Sequence, residues 1–506
     1  MVYRGKPSPG CALCRTRRVK CDRRQPSCSQ CLRVKRQCSG YQDLHALRFF
    51  DQTEAVATKA QARAAQKREA EAEAAAAAAD RTVAVALQLP IAHVPTSIHE
   101  QAMSHSLRCY VGTDQGRGIL SYLPELLKTD PSDALLSTLR AIGLSSISRL
   151  HNLPGLKRSA GEEYCLALRA TNRDLQHAST AVSDSTLATV VLLGLYEIIE
   201  CHESDILHGW YNHVQGSIKL LELRGKKQLE SPAGLELFRI VRLQITMSNL
   251  FYRTKYYDSP GIASLSKLAA AIPGSDSQAM ESLYAILIPL NELSIAINDA
   301  YKRDGFSGNT APLIAQALRL DAELASWAIS LDPSWHYTTV TTDGNTNSTK
   351  DIPLTPLDPE YHLYPHLVVA ALWNHYRHAR IVLHEMLRPM CASKSPSTTI
   401  PETHHLLLAQ SRTITTQMLK EICASAPYFF TSDEKRYAAV VRLPWALFVA
   451  ADCTEASEGT KGWIADVLER LAASTGVQQA RLMAGMIRGG GHGMRLIPGK
   501  EKNVVI

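Results

Sequence analysis

A chain of 506 residues, 45% apolar and 20% charged, is long enough for a large core and for more than one folding unit. Its net charge of +7 is unevenly spread: residues 1–40 carry eleven Lys and Arg against one acid, a balance of +10, whereas the other 44 bases and 47 acids balance to −3. That asymmetry excludes a uniformly basic protein and assigns a polyanion partner to the N-terminal end alone.

The chain opens on Arg4 and Lys6 and runs into cysteines, so no secretory signal is expected. The most apolar run, Leu187–Ile199, is too short to span a membrane and is interrupted by Glu197. The reading is a soluble intracellular protein without a membrane partner, in a compartment where clustered thiols bind metal rather than pair.

Residues 1–10 are polar, contain two prolines and read as a disordered arm. Residues 11–38 hold six of the twelve cysteines, spaced Cys11-x2-Cys14-x6-Cys21-x6-Cys28-x2-Cys31-x6-Cys38. This segment has too few apolar side chains to build its own core, so its fold must come from cross-links or metal. Zinc takes four ligands in a tetrahedron, and thiolate suits it. Six thiolates leave two ions one ligand short each unless two sulfurs are shared, so a binuclear cluster holding two Zn2+ satisfies the count. The halves repeat Cys-x2-Cys-x6-Cys, a pseudo-twofold pattern, with Pro26 in the turn between them. Three disulfides are disfavoured by the compartment, and an iron–sulfur site by the spacing. Structural zinc is worth roughly 10–16 kcal/mol in zinc-finger peptides, more than burial could supply here.

Residues 39–96 read as a helical or disordered linker. Residues 51–80 are rich in Ala, Lys, Arg, Gln and Glu, and their helix propensity is high. Val56 is their only large aliphatic residue, too little for a coiled-coil seam. From 97 to 488 the pattern is helical. Leu187, Val190, Val191, Gly194, Leu195, Ile198 and Ile199 form one stripe. A helix through Tyr211 and Leu221 ends at Arg224, with Gly225 as its cap. Further helices are expected over 132–150, 161–177, 235–252, 278–301, 312–329, 361–387, 404–425, 437–453 and 463–487. Thr-rich residues 337–340, in a loop spanning 330–358, come nearest to a strand. A second loop covers 391–401, and 489–506 reads as a flexible tail. The fold class is mainly α: a small N-terminal zinc cluster, a helical linker and a large all-α domain.

The cysteine spacing, the run Arg15-Thr16-Arg17-Arg18-Val19-Lys20-Cys21-Asp22 and Pro26 together resemble the fungal Zn₂Cys₆ binuclear-cluster transcription factors. The resemblance implies that Cys11 and Cys28 bridge the two zincs, one completed by Cys14 and Cys21 and the other by Cys31 and Cys38. It also implies a short helix after Cys14 that enters the DNA major groove and reads CGG-type triplets. Arg17 and Arg18 match its base-reading positions. Arg18 stands where many members have Lys, and Arg can make a bidentate contact to guanine. Arg15, Lys20, Arg23 and Arg24 would hold phosphates, fixing register without reading sequence.

Beyond the cluster, Trp210–Gly216, Leu223–Gly225, Glu421–Tyr428 and Leu443–Val449 are similar to elements of that family's α-helical regulatory domain. The implied protein is a nuclear regulator of RNA polymerase II transcription. Its partners would be double-stranded DNA and transcriptional co-regulators, with homodimerisation left open. Trp210, His213 and Arg224 are read as a packed contact, and the other six cysteines as buried thiols. The chain has no His-Glu-x-x-His, no Gly-x-Ser-x-Gly and no dinucleotide glycine motif, so no enzymatic activity is expected.

Overall fold

The computed structural model describes residues 10–41, 96–111, 120–201, 208–252, 260–272, 275–341, 354–392 and 402–490. The arm, the linker, the tail and the 391–401 loop lie largely outside them, as do residues 342–353 of the 330–358 loop. The chain divides into two compact units, Met1–Pro95 and Thr96–Ile506. In the first, two single-turn helices, α1 (Ala12–Thr16) and α2 (Ser29–Arg33), contain Cys14 and Cys31 and begin just after Cys11 and Cys28.

The second unit is mainly helical. It begins at Ser97, whose hydroxyl accepts the Glu100 backbone N–H at 3.2 Å while the Glu100 carboxylate accepts the Ser97 N–H at 2.9 Å. This reciprocal cap starts α3 (Ile98–Tyr110). There follow α4 (Leu123–Thr129), α5 (Asp133–His151), α6 (Pro154–Leu175), α7 (Ala178–Ala181), α8 (Asp184–Glu200), α9 (His208–Arg224), α10 (Pro232–Tyr252) and α11 (Pro260–Ala270). They enclose one hydrophobic cluster, with Ile142, Leu187, Ile199, Leu221 and Phe238 at its centre. The predicted stripe of α8 is buried, and so are Leu192 and Leu193 on its other side. The helix is therefore enclosed nearly all round rather than amphipathic.

A second cluster, including Leu287, Leu320, Leu383, Phe429, Leu447 and Leu468, is built by the rest of the unit. Its helices are α12 (Ser275–Asp304), α13 (Ala311–Ser330), α14 (Leu367–Ala392), α15 (Glu402–Ser425), α16 (Asp433–Ala439), α17 (Pro444–Asp452), α18 (Glu458–Thr475) and α19 (Gln478–Arg488). Val440 and Val477 reach back into the first cluster.

Five elements differ from the sequence expectation. The Thr-rich stretch forms strand β1 (Thr338–Thr341), paired antiparallel with β2 (Glu360–Leu363), Thr338 opposite Leu363. The following helix consequently starts at Leu367 rather than at 361. The α6 helix starts seven residues early because Pro154 sits at its first position, where a missing N–H costs nothing. The expected 437–453 helix is divided before Pro444, and the 463–487 helix at Gly476, whose φ of +78° ends α18. Finally, Gln278–Asp304 is long and apolar enough to cross a membrane by length and composition. The sequence reading overlooked it. Its Leu283, Leu287, Leu290 and Leu293 lie in the second cluster, against α13 and α14.

Candidate metal centre and nucleic-acid interface

The two halves of the cysteine segment repeat not only in spacing but in backbone geometry. Cys11 and Cys28 each hold an extended conformation immediately before a one-turn helix. Arg15 N–H donates to Cys11 O at 3.1 Å, and Leu32 N–H to Cys28 O at 3.1 Å. Arg18 N–H then donates to Arg15 O, and Lys35 N–H to Leu32 O; Val19 N–H reaches Cys14 O, and Arg36 N–H reaches Cys31 O. Each helix ends in a left-handed residue, Arg18 at φ +55° and Lys35 at φ +49°. Arg23 and Gly40 repeat the conformation after the third cysteine of each half. These turns reverse the chain and return Cys21 and Cys38 to the pairs they follow. Between the halves, the Gln25–Pro26 peptide is cis.

The sulfurs of Cys11, Cys14, Cys21 and Cys28 all lie within 4.8 Å of one another, and so do those of Cys11, Cys28, Cys31 and Cys38. Cys11 and Cys28 belong to both groups. Sγ separations are 3.8 Å for Cys11–Cys28 and 3.6 Å for both Cys11–Cys31 and Cys14–Cys28. A disulfide needs about 2.05 Å. A tetrahedron with Zn–S bonds of about 2.3 Å has edges of about 3.8 Å, so the donor set fits zinc.

Protonation favours the same occupant. Burial pushes the Cys14 thiol up to about 12, helped by the neighbouring sulfurs, and pushes Cys31 up as well. Backbone N–H groups of Cys28 and Gly40 point at Cys38 and bring it down to about 7; those of Cys11 and Arg23 lower Cys21. An N–H aimed at sulfur stabilises the thiolate. Crowded sulfurs that resist charge from inside and are prepared for it from outside call for a cation at the centre.

On the surface of this unit, Arg17, Arg18, Lys20, Arg23 and Arg24 are exposed and Arg15 is half-buried. Arg17 and Arg18 stand where α1 ends. Asp22, one residue past Cys21, accepts the Ser29 backbone N–H at 3.1 Å and the Ser29 hydroxyl, tying the first half to the start of α2. That hydrogen bond holds the Asp22 carboxyl below its usual range. Arg24 lies 3.7 Å from the same carboxylate, and the Tyr41 hydroxyl donates to Arg24 O at 2.6 Å. The role of Asp22, Ser29 and Tyr41 in fixing the loop between halves was not read from the sequence.

In the larger unit, Trp210, His213 and Arg224 are packing residues. Trp210 and His213 close on Gly194, and the buried Arg224 donates to Val182 O at 2.8 Å and to the Asp184 carboxylate, tying α9 to the start of α8. Cys109, Cys201, Cys391, Cys423 and Cys453 are buried, whereas Cys165 is exposed. Among the described residues, no group of His, Cys, Asp and Glu outside the N-terminal segment is arranged to hold a metal.

Comparison with known proteins agrees with both units. Residues 9–46 match the fungal Zn(2)-Cys(6) binuclear cluster domain, and residues 104–488 match the fungal specific transcription factor domain. White-opaque regulator 2 of Candida albicans is 48% identical over 46 residues, 9% of this chain and 10% of that protein. An uncharacterized transcriptional regulatory protein of Schizosaccharomyces pombe is 53% identical over 38 residues, 8% of this chain and 7% of that protein. The aspercryptin biosynthesis cluster-specific transcription regulator of Emericella nidulans is 41% identical over 56 residues, 11% of this chain and 9% of that protein. The chain thus covers a tenth or less of the length of these relatives. No solved structure matches.

Proposed function

The chain belongs to the family defined by the fungal specific transcription factor domain, and from that premise we propose that it is a nuclear, sequence-specific regulator of RNA polymerase II transcription. Residues 11–38 are the DNA-binding domain, 39–96 a tether and 97–488 the regulatory domain. Cys11, Cys14, Cys21, Cys28, Cys31 and Cys38 hold two Zn2+ ions, with Cys11 and Cys28 shared. The ions supply folding energy and no chemistry, and the protein is not an enzyme.

The observation that carries this reading is the exposure of Arg17 and Arg18 at the end of a helix whose first turn is anchored by two cysteines. A single turn cannot persist alone in water; held by metal, it presents two guanidinium groups at a defined place. In the major groove they would accept the pattern of guanine O6 and N7, reading CGG-type triplets. Arg15, Lys20, Arg23 and Arg24 would set register on phosphates. Selection of sites from random duplex DNA by the full chain, at one fixed salt concentration, tests it. Enrichment of CGG is expected, one triplet for a monomer and two at fixed spacing for a homodimer. Recovery of random sequence, or enrichment of sites without a G-rich triplet, would overturn it. The helical domain would then meet co-regulators, which an interaction screen with residues 97–488 as bait would detect.

A further inference from the structure

Outside the cysteine segment, cationic side chains gather in a cleft of about 220 Å³ on the helical unit. One wall is the turn between α5 and α6, where Asn152 turns left-handed at φ +52°; the other is the turn between α18 and α19 at Gly476. Chain segments 329 residues apart are joined beside it. Ser146 Oγ donates to Thr475 O at 3.2 Å, and Arg149 Nη1 to Gln478 Oε1 at 3.3 Å. Gly476, at φ +78°, holds a backbone conformation that favours glycine, and a Cβ there would sit 3.2 Å from Arg149 Cβ.

Arg149, Lys157 and Arg481 line the cleft. The carboxylate beneath is Glu200, 5% exposed, which accepts from Arg149 Nη2 at 2.6 Å and lies 3.7 Å from Lys157 Nζ. Arg481 has no ion-pair partner among the described residues. Asp466 and Glu469, which share the adjoining groove with it, are engaged by Arg488. Arg149 and Lys157 thus share one buried carboxylate, and Arg481 adds a third positive charge to the same concave lining, where like charges repel more strongly than on an open surface.

We propose that this cleft binds a small dianion, a phosphate or a short dicarboxylate, held by Lys157, Arg149 and Arg481. Its volume of about 220 Å³ suits a small ligand. Bound between the two turns, the ligand would clamp α5 and α6 to α18 and α19.

The test uses the zinc-loaded full chain, thermal unfolding and calorimetric titration, with inorganic phosphate and succinate against sodium chloride at matched ionic strength. Saturable stabilisation by at least one dianion is expected, phosphate alone marking a phosphate site and succinate alone a carboxylate site. The double variant K157Q/R481Q alters two exposed side chains and should weaken that binding roughly tenfold or more. Arg481→Gln alone should weaken it less. The variant R17A/R18A separates the cleft from the basic surface of the cysteine segment and should bind as the parent does. Stabilisation by neither dianion beyond chloride, or K157Q/R481Q binding as tightly as the parent, would overturn the proposal.

Discussion

Arg18 and Lys20 lie two residues apart, both exposed, yet their proposed tasks differ. A guanidinium reading guanine edges contributes discrimination, whereas an ammonium on phosphate contributes affinity for any sequence. Arg18→Ala is expected to lose about 1–3 kcal/mol on the selected site and to relax base preference there. Lys20→Ala should weaken all sequences alike and reduce the salt slope by about one. Titrations of specific and scrambled duplexes across a salt series distinguish the two, and equal loss on both duplexes for Arg18→Ala would remove it from base reading. The cysteines divide in the same way. Cys28 belongs to both sulfur groups and Cys38 to one. Cys28→Ser should therefore lower bound zinc toward zero, while Cys38→Ser retains a partly loaded segment. Metal content per chain, measured after gel filtration, decides this.

At the scale of elements, α3 and α5 approach closely at Gly143. A Cβ built on Gly143 would lie 1.9 Å from Ala102 O, which belongs to the helix backbone and cannot swing aside. The Ser106 hydroxyl donates to Leu139 O at 2.7 Å across the same contact. Gly143→Ala should force the helices apart and cost about 1–3 kcal/mol or more, although alanine is the better helix former. Chemical denaturation would register a lowered midpoint; an unchanged or raised midpoint would show that the helices separate freely. The β1–β2 pair is held differently. Arg377, fully buried on α14, donates to the Tyr364 hydroxyl at 2.7 Å and to Glu421 at 3.0 Å, with its guanidinium 4.9 Å from the Tyr337 ring centroid. One charged residue thus gathers the residues flanking both strands onto α14 and α15.

Across the helical unit, stability should depend on mild acid. His378, 2% exposed, has its ring nitrogens without hydrogen-bond partners among the described residues, and burial brings its pKa down to about 4. His362, 4% exposed, is brought down to about 3, first by burial and then by Arg377. The unfolded chain takes up protons at these residues near 6.5, before the folded one does, so folding stability falls as pH drops from about 6.5 toward 4. Each histidine contributes on the order of 1 kcal/mol per pH unit within that window. Asp321, held at about 2 against burial by hydrogen bonds from His384 and Arg380, loses its contribution only below that range. Urea midpoints between pH 7 and pH 5 should therefore decline, and His378→Leu should flatten the decline. A midpoint independent of pH would remove the buried imidazoles from the account.

The cysteine segment was legible because its chemistry is local. Ligand number, spacing and charge are all sequence quantities, and a metal leaves a short chain few ways to satisfy them. The predominance of helix was legible from apolar periodicity, as in Leu187–Ile199. Where helices stop was legible only in part: Gly225 was recognised, while Pro444 and Gly476 were passed over within apolar runs. Tertiary structure decided what depends on distant partners. Thr338–Thr341 became a strand because Glu360–Leu363 pairs with it, and no local pattern in either stretch demands that. Arg149, Lys157 and Arg481 are unremarkable in order along the chain; packing across 329 residues places two of their turns on opposite walls of one cleft. Short-range chemistry is written in spacing, but long-range electrostatics exists only after the core has brought separate helices together.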